Sequence, residues 1–276
     1  MISTTTQSVV ILGGGLAGLT VAYRLALLGY RVTIVDREAH NYPEPFTLLG
    51  CHHATQELLH SLHSNSRQPE EIAIPLEFRL PDGSLVHYPR SSFPAPLHSW
   101  VNLLRFAGIP WKERWQLASW VEQLWEGDAE LPADLEQRIA DEWLTSIGQS
   151  AQTRNLVWNP LARWLTGNDL AMMSADVFVR SMKPLFLSTR PDSRVSVVQD
   201  SLQNCFIQPI TETLTQAGAT IVCNTEATQL RYERDRISGV LLRDGPMLQA
   251  DWYVAALPPQ QLTTLLPERW LTRYAY

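Results

Sequence analysis

The chain has 276 residues, of which 45% are hydrophobic and 18% charged, with a formal net charge of −6. That length buries a sizeable core and that composition excludes a disordered chain, while a net negative charge with no basic run argues against nucleic acid as a partner. Cys51, Cys205 and Cys223 form no CxxC pair, the opening MISTTTQ lacks the regions of a signal peptide, and no apolar run reaches 18 residues, so the expected setting is cytoplasmic with reduced thiols and no membrane span.

Residues 9–12 (VVIL) are an apolar run ended by glycine, which suits a strand buried on both faces of a parallel sheet. Gly13, Gly14, Gly15, Leu16, Ala17 and Gly18 follow. The first glycine allows the tight turn, Gly15 lets backbone approach a pyrophosphate, and Gly18 lets a helix pack closely. From Leu16 onward Leu19, Ala22, Tyr23, Ala26 and Leu27 recur at helical spacing, and Gly29 ends the helix. Residues 31–36 (RVTIVD) read as a second parallel strand whose last residue, Asp36, stands 23 positions after Gly13, the place of an acid that accepts from an adenosine ribose. The unit therefore predicts an adenine dinucleotide, with the diphosphate at a helix N-terminus. Asp36 disfavours a 2′-phosphate, and Arg37 reads as a solvated charge.

Beyond Asp36, residues 55–63 (TQELLHSLH) predict a helix. His60 and His63 lie three apart on it, but no cysteine or carboxylate at ligand spacing accompanies them, so no metal is expected. Residues 76–88 predict a β-hairpin around Pro81-Asp82-Gly83-Ser84, with Leu76, Phe78 and Leu80 on the covered face. From 94 to about 149 the pattern is helical and rich in tryptophan. Trp111, Trp115, Trp120 and Trp125, with Leu117, Val121 and Leu124, form an apolar stripe that reads as helical core, as a substrate tunnel, or as an edge in a membrane interface beside Arg105, Lys112 and Arg114. Asp169 and Ser174 are expected helix caps, and Met172, Met173 and Met182 either line an adaptable pocket or pack normally. A short helix closed by Gly218 precedes a return to strands, the last of which (DWYVAAL) reads as buried and sheet-like before Pro258-Pro259. Such a late parallel strand fits a nucleotide-binding domain with another domain inserted in it. The expected domains are 1–75 with 195–276, binding the dinucleotide, and 76–194, mostly helical with the hairpin.

With these residues in view, VVILGGGLAGLTVAYRLALLGYRVTIVDRE resembles the N-terminal fingerprint of the FAD-dependent amine oxidase and carotenoid desaturase superfamily. FTLLGCHHATQELLHSL, WNPLARWLTGNDLAMMSAD and WYVAALPPQQLTTLLP extend the likeness over most of the chain. Within the superfamily it is most similar to the squalene-associated desaturases, the hydroxysqualene dehydroxylases. The resemblance implies an α/β chain with a Rossmann-like parallel sheet of glutathione-reductase type, an inserted α+β substrate domain and bound FAD. It also implies hydride transfer with a long apolar isoprenoid, and a strand that meets adenine through its backbone near Ala227. A carotenoid desaturase or isomerase, and a non-catalytic subunit pairing with an active homologue, are the competing readings. Two departures stand out: AHNYPEPF replaces the Gly-Gly-Arg loop that follows the acid in relatives, and the C-terminal Gly-Asp segment that holds the flavin end is not in this sequence. The readings this leaves open are a fragment, half of a split enzyme whose second chain supplies the segment, and a degenerate relative. No catalytic acid or base is evident; Asp169, Asp176 and His98 are candidates by position alone.

Overall fold

The structure is a computed structural model that describes residues 6–38, 42–64, 67–94, 97–125, 134–234, 236–243, 245–267 and 270–271, with side chains of 121–125 left aside. In chain order its elements are β1 (Ser8–Leu12), α1 (Leu16–Leu27), β2 (Arg31–Val35), β3 (Pro45–Leu49), α2 (His53–Leu62), β4 (Glu71–Ala73), β5 (Glu77–Arg79) and β6 (Leu85–His87). Then come α3 (Leu97–Arg105), α4 (Trp111–Trp125), α5 (Ala140–Ser146), α6 (Ala151–Thr153), α7 (Asn159–Thr166) and α8 (Ala175–Phe186). The chain continues with β7 (Val195–Ser201), α9 (Gln208–Gln216), β8 (Thr220–Val222), β9 (Ala227–Glu233), β10 (Arg236–Leu242), β11 (Trp252–Ala255) and α10 (Pro259–Leu265). Single π-turns, Arg154–Trp158 and Gln203–Ile207, lead into α7 and α9.

The chain divides into two compact units, 1–45 with 58–69 and 200–276, and 46–57 with 70–199. The first holds a parallel sheet in the order β11-β1-β2-β8. The β-branched residues of 9–12 and 32–35 fill its centre, where Ile11 and Ile34 are fully buried. α1 lays Leu19, Ala22 and Tyr23 inward and packs on α9, whose Ile210 and Leu214 are also fully buried. On Val10, Leu12 and Val35 sits the β9–β10 hairpin, through Leu230, Val240 and Leu242. β11 arrives parallel to β1 as expected, but it ends the sheet, so Trp252 is exposed rather than buried.

The second unit packs α3, α4, α5, α7 and α8 around one apolar core. The predicted hairpin forms between β5 and β6, with Phe78 buried and Glu77 and Arg79 exposed. Residues 46–57, 70–75 and 195–199, expected with the dinucleotide domain, belong to this unit instead. The reason is pairing: β3, β7 and β4 are neighbours in one sheet, which ties those three stretches together. Ser174 caps α8 by accepting from Val177 N, whereas Asp169 caps nothing and pairs with Arg163.

Candidate functional site

Two hollows matter, one in each unit. In the first, Leu12 and Val35 end β1 and β2 side by side, and Gly13 N donates to Val35 O at 2.8 Å. From β1 the chain runs through β2 to β8 on one side, and β11 lies on the other. The crevice outside the strand ends at such a reversal is the usual ligand position in an open α/β sheet. A cleft of about 860 Å³ opens there, lined by Gly13, Gly15, Leu16, Ala17, Asp36, Arg37 and Ala227, with Ala256 to Pro258 on the β11 side.

The glycines are held by close approach. Gly13 has φ +101°, and a Cβ on it would strike the carbonyl oxygen of Ala256; a Cβ on Gly18 would strike the carbonyl of Gly13 itself. The α1 N-terminus is thus pressed against the turn. Gly15 N-caps α1 without a side-chain bond and no acid stands in the first turn, so no side chain of the helix competes for its leading N–H groups. Gly14 lies under Asp36, whose Oδ2 would be 2.5 Å from a Cβ placed there. The Asp36 backbone is fixed on both sides, its N donating to Val222 O at 2.9 Å and its O accepting from Thr225 N at 3.1 Å. Arg37 pairs with Glu38 at 3.1 Å, with both side chains exposed. Seven of the nine residues singled out in the sequence line this cleft, while Gly14 packs against Asp36 and Gly18 against the Gly13 carbonyl.

The far wall was not legible in advance: Thr225, Glu226, Ala256, Leu257, Gln260 and Gln261 also line the cleft. The available signal was the strand DWYVAAL, since any parallel strand beside β1 must end at the same edge; Ala256 N accordingly donates to Leu12 O at 2.8 Å.

The second hollow, about 90 Å³, lies inside the helical unit. Its walls are nearly all apolar; Ser99 and Lys183 are exceptions. Aromatic rings meet around it: Phe78 with Phe106 at 5.1 Å, Tyr88 with Phe186 at 5.1 Å, Trp120 with Trp143 at 5.4 Å, and Trp158 with Phe178 at 6.1 Å between centroids. Burial raises the pKa of Tyr88, keeping its hydroxyl neutral. Trp158 Nε1 is satisfied by Gln149 Oε1 at 3.0 Å. The expected tryptophan stripe is divided: Trp120 and Leu117 line the hollow, while Trp111 and Trp115 meet edge to face at 5.6 Å on the exposed side. A helix turns 100° per residue, so a 4-5-5 spacing spreads over more than one face. Met182 lines the hollow, Met173 is buried, and Met172 is 78% exposed.

The three candidates for proton transfer line neither hollow. Asp176 accepts from Arg180 Nε at 2.7 Å, Asp169 pairs with Arg163, and His98 is buried beside Ser99, with burial lowering its pKa. His63 Nε2 meets the Cys205 carbonyl at 2.9 Å, and no group of three metal-ligating side chains occurs among the described residues.

A family model for the FAD dependent oxidoreductases matches residues 8–267. The chain belongs to that family. FAD is its cofactor, and the cleft residues fit the adenosine half of such a group: a bare helix N-terminus for a diphosphate and a fixed carboxylate for ribose hydroxyls, in a space typical of ligand sites. Among curated relatives, a probable zeta-carotene desaturase of Synechococcus elongatus is 24% identical over 95% of this chain and 60% of its own length. The 15-cis-phytoene desaturase of the same organism gives the same identity and coverage. This chain thus spans about 60% of the length of these relatives. Among solved structures, an oxidoreductase from Methanosarcina mazei superposes with a TM-score of 0.67 at 13% identity, over 97% of this chain and 64% of that one. A putrescine oxidase variant gives 0.64 at 18% identity, over 96% and 62%. They share the fold: a Rossmann-like parallel sheet with an α+β insertion. Among the described residues no helix is long and apolar enough to cross a membrane.

Proposed function

We propose that this flavoprotein-family chain is an FAD-dependent oxidoreductase acting by hydride transfer on a long apolar isoprenoid, either hydroxysqualene or squalene, or a carotenoid precursor. The observation that carries the reading is the cleft at the ends of β1, β2 and β11, where the α1 N-terminus and Asp36 converge. In it the N–H groups at Leu16 to Gly18 receive the diphosphate, Asp36 accepts from ribose hydroxyls, the Ala227 backbone borders the adenine, and Arg37 stays at the solvent edge. Bound FAD supplies the hydride acceptor or donor. The protein contributes binding, orientation and exclusion of water.

An isoprenoid offers no charge to hold, so its binding rests on apolar contact at about 25 cal/mol per Å² covered. The ring-lined hollow of the second unit supports that chemistry, and at about 90 Å³ it accommodates a segment of such a chain and not the whole. The carotenoid precursor is favoured by the names of the relatives, two of which are carotenoid desaturases. Exposed Trp111 and Trp115, beside Lys112 and Arg114, support peripheral contact with a membrane surface.

The test is to purify the chain, add FAD, remove unbound flavin by gel filtration and record the flavin absorbance of the protein before and after dithionite. Flavin bands that bleach are expected, and a chain that stays colourless sinks the reading for this chain alone. Anaerobic flavin reduction with hydroxysqualene against phytoene then separates the two substrates, and silence with both removes the isoprenoid assignment. Flotation with liposomes checks the membrane contact, which fails if the protein stays at the bottom of the gradient.

A further inference from the structure

Arg90 meets two arginines of a distant stretch in the second unit. Arg90 follows β6, and Arg190 and Arg194 lie in the turn that leads into β7. Arg90 Nη2 donates to the carbonyls of Ile74 at 3.4 Å and Ser193 at 3.5 Å, so its guanidinium is pinned against the turn that carries the other two. The turn is closed by Arg194 N donating to Pro191 O at 3.0 Å. All three arginines are exposed.

Little in the surroundings neutralises them. Arg190 makes no hydrogen bond or ion pair among the described residues. Arg194 reaches Glu71 only at 4.0 Å. Asp192, the carboxylate inside the turn, is 3% exposed and already accepts from His53 Nε2 (2.6 Å), Ser188 Oγ (2.7 Å), Thr189 N (2.9 Å) and Thr189 Oγ1 (2.6 Å). It holds the turn and leaves the arginines to solvent. Partial desolvation of its guanidinium, with the charges of Arg194 and Arg190, lowers the pKa of Arg90. In a chain with a formal net charge of −6, such a grouping runs against the overall sign.

Two of the arginines also follow wall residues of the apolar hollow closely in the chain. Arg90 comes two positions after Tyr88 and Arg190 three after Leu187, and both Tyr88 and Leu187 are wall residues. Three residues span at most about 11 Å, so the backbones of Arg90 and Arg190 lie within that distance of two residues of the apolar wall. Arg90 and His98, the latter beside the wall residue Ser99, both feel the charge of Arg190. An acceptor with several oxygens suits forked guanidinium donors better than a single carbonyl would.

We propose that Arg90, Arg190 and Arg194 form a site for a phosphate or diphosphate group carried on an apolar chain, whose first carbons enter the hollow lined by Tyr88, Phe186 and Leu187. The inference rests on the isoprenoid reading above for the apolar part alone; the substrates proposed there carry no phosphate, so the amphiphile is a further ligand of the hollow. A phosphorylated isoprenoid and the headgroup of an acidic phospholipid share this chemistry.

Calorimetric titration of the purified chain with inorganic diphosphate and with farnesyl diphosphate tests it, alongside flotation with phosphatidylcholine vesicles containing or lacking phosphatidic acid. Farnesyl diphosphate is expected to bind at least 10-fold more tightly than inorganic diphosphate, and Arg190→Ala to weaken both about 10-fold with an unchanged far-ultraviolet circular dichroism spectrum. Flotation that needs phosphatidic acid and is lost in Arg190→Ala, with no heat from the soluble ligands, assigns the phosphate to a lipid headgroup. Equal affinity for the two soluble diphosphates overturns the amphiphile, and binding unchanged in both Arg190→Ala and Arg194→Ala overturns the site. If nothing phosphorylated binds while squalene and farnesol still alter tryptophan fluorescence, the anion site falls and the apolar reading of the hollow stands.

Discussion

The cleft of the first unit and the hollow of the second are built from different materials. The cleft is made of main chain: a turn, a helix end and strand termini approach so closely that a single Cβ at Gly13 or Gly18 meets a carbonyl oxygen. The hollow is made of side chains, chiefly Trp, Phe and Leu, from β5, α3, α4, α5, α7 and α8. At Gly13, Gly14 and Gly18 backbone geometry leaves no room for added volume, yet it asks little of the surrounding core. Ring packing tolerates exchange of one apolar group for another but loses heavily when a ring is removed. The two sites therefore differ in what breaks them: added volume in the first, lost volume in the second.

The largest expected effect comes from removing a ring in the second unit. Trp143 is 2% exposed and packs on both Trp120 and Phe178. Trp143→Ala is expected to cost about 3–5 kcal/mol of that unit's stability, from lost burial and the enlarged void. Urea unfolding followed by near-ultraviolet circular dichroism measures it, and a loss under 1 kcal/mol would mean the ring cluster is not the core. In the first unit the corresponding change adds volume. Gly18→Val drives a branched side chain onto the Gly13 carbonyl and is expected to cost about 3 kcal/mol, with loss of retained flavin on gel filtration. Unchanged flavin content would show that α1 has room to move away from the turn.

A smaller effect separates binding from folding. Asp36→Ala leaves the sheet intact, since the Asp36 backbone bonds to Val222 and Thr225 remain. One charged hydrogen-bond acceptor is removed, so FAD affinity is expected to fall by about 2 kcal/mol, roughly 30-fold. Quenching of flavin fluorescence gives the constant. Equal affinity in variant and wild type would place the ribose elsewhere in the cleft.

Those two sites were not equally open to sequence reasoning. The cleft's near wall was legible because its parts are adjacent in the chain and each residue type is forced: glycine where a Cβ collides, an acid at the end of the second strand. Its far wall at Ala256 to Pro258 was hidden because it arrives more than 200 residues later, and only strand order shows which edge it joins. In the second unit helical periodicity found the elements but not their faces. Trp111 and Trp120 lie on one helix at similar spacing from their neighbours, yet one is exposed and the other lines the hollow, a division set by which helices pack against α4. The arginine group was invisible for the same reason, since Arg90 and Arg190 are 100 positions apart. Residues 39–41, within the segment that replaces the Gly-Gly-Arg loop, lie outside the described residues.

The smallest effect is one of pH, and it falls on the second unit alone. Burial of Asp192 opposes its ionisation, but the hydrogen bonds from Thr189, Ser188 and His53 prevail and hold its carboxyl below the usual carboxylate range. A carboxylate whose pKa is depressed on folding adds stability that is fully present above its unfolded value, about 3.9, and is lost as pH falls through the folded one. Asp192 also fixes the turn of residues 188–194 that carries two of the three arginines. Asp192→Asn is therefore expected to lower the second unit's stability by about 1 kcal/mol at neutral pH. The difference from wild type should shrink as pH drops below about 4, where the unfolded chain's carboxyl takes up a proton before the native one does. Flavin retention by the first unit should not change. Urea midpoints for both proteins at a series of pH values test this. A difference that stays constant into acid would mean that the turn is held by its backbone and hydroxyls, with no contribution from the charge.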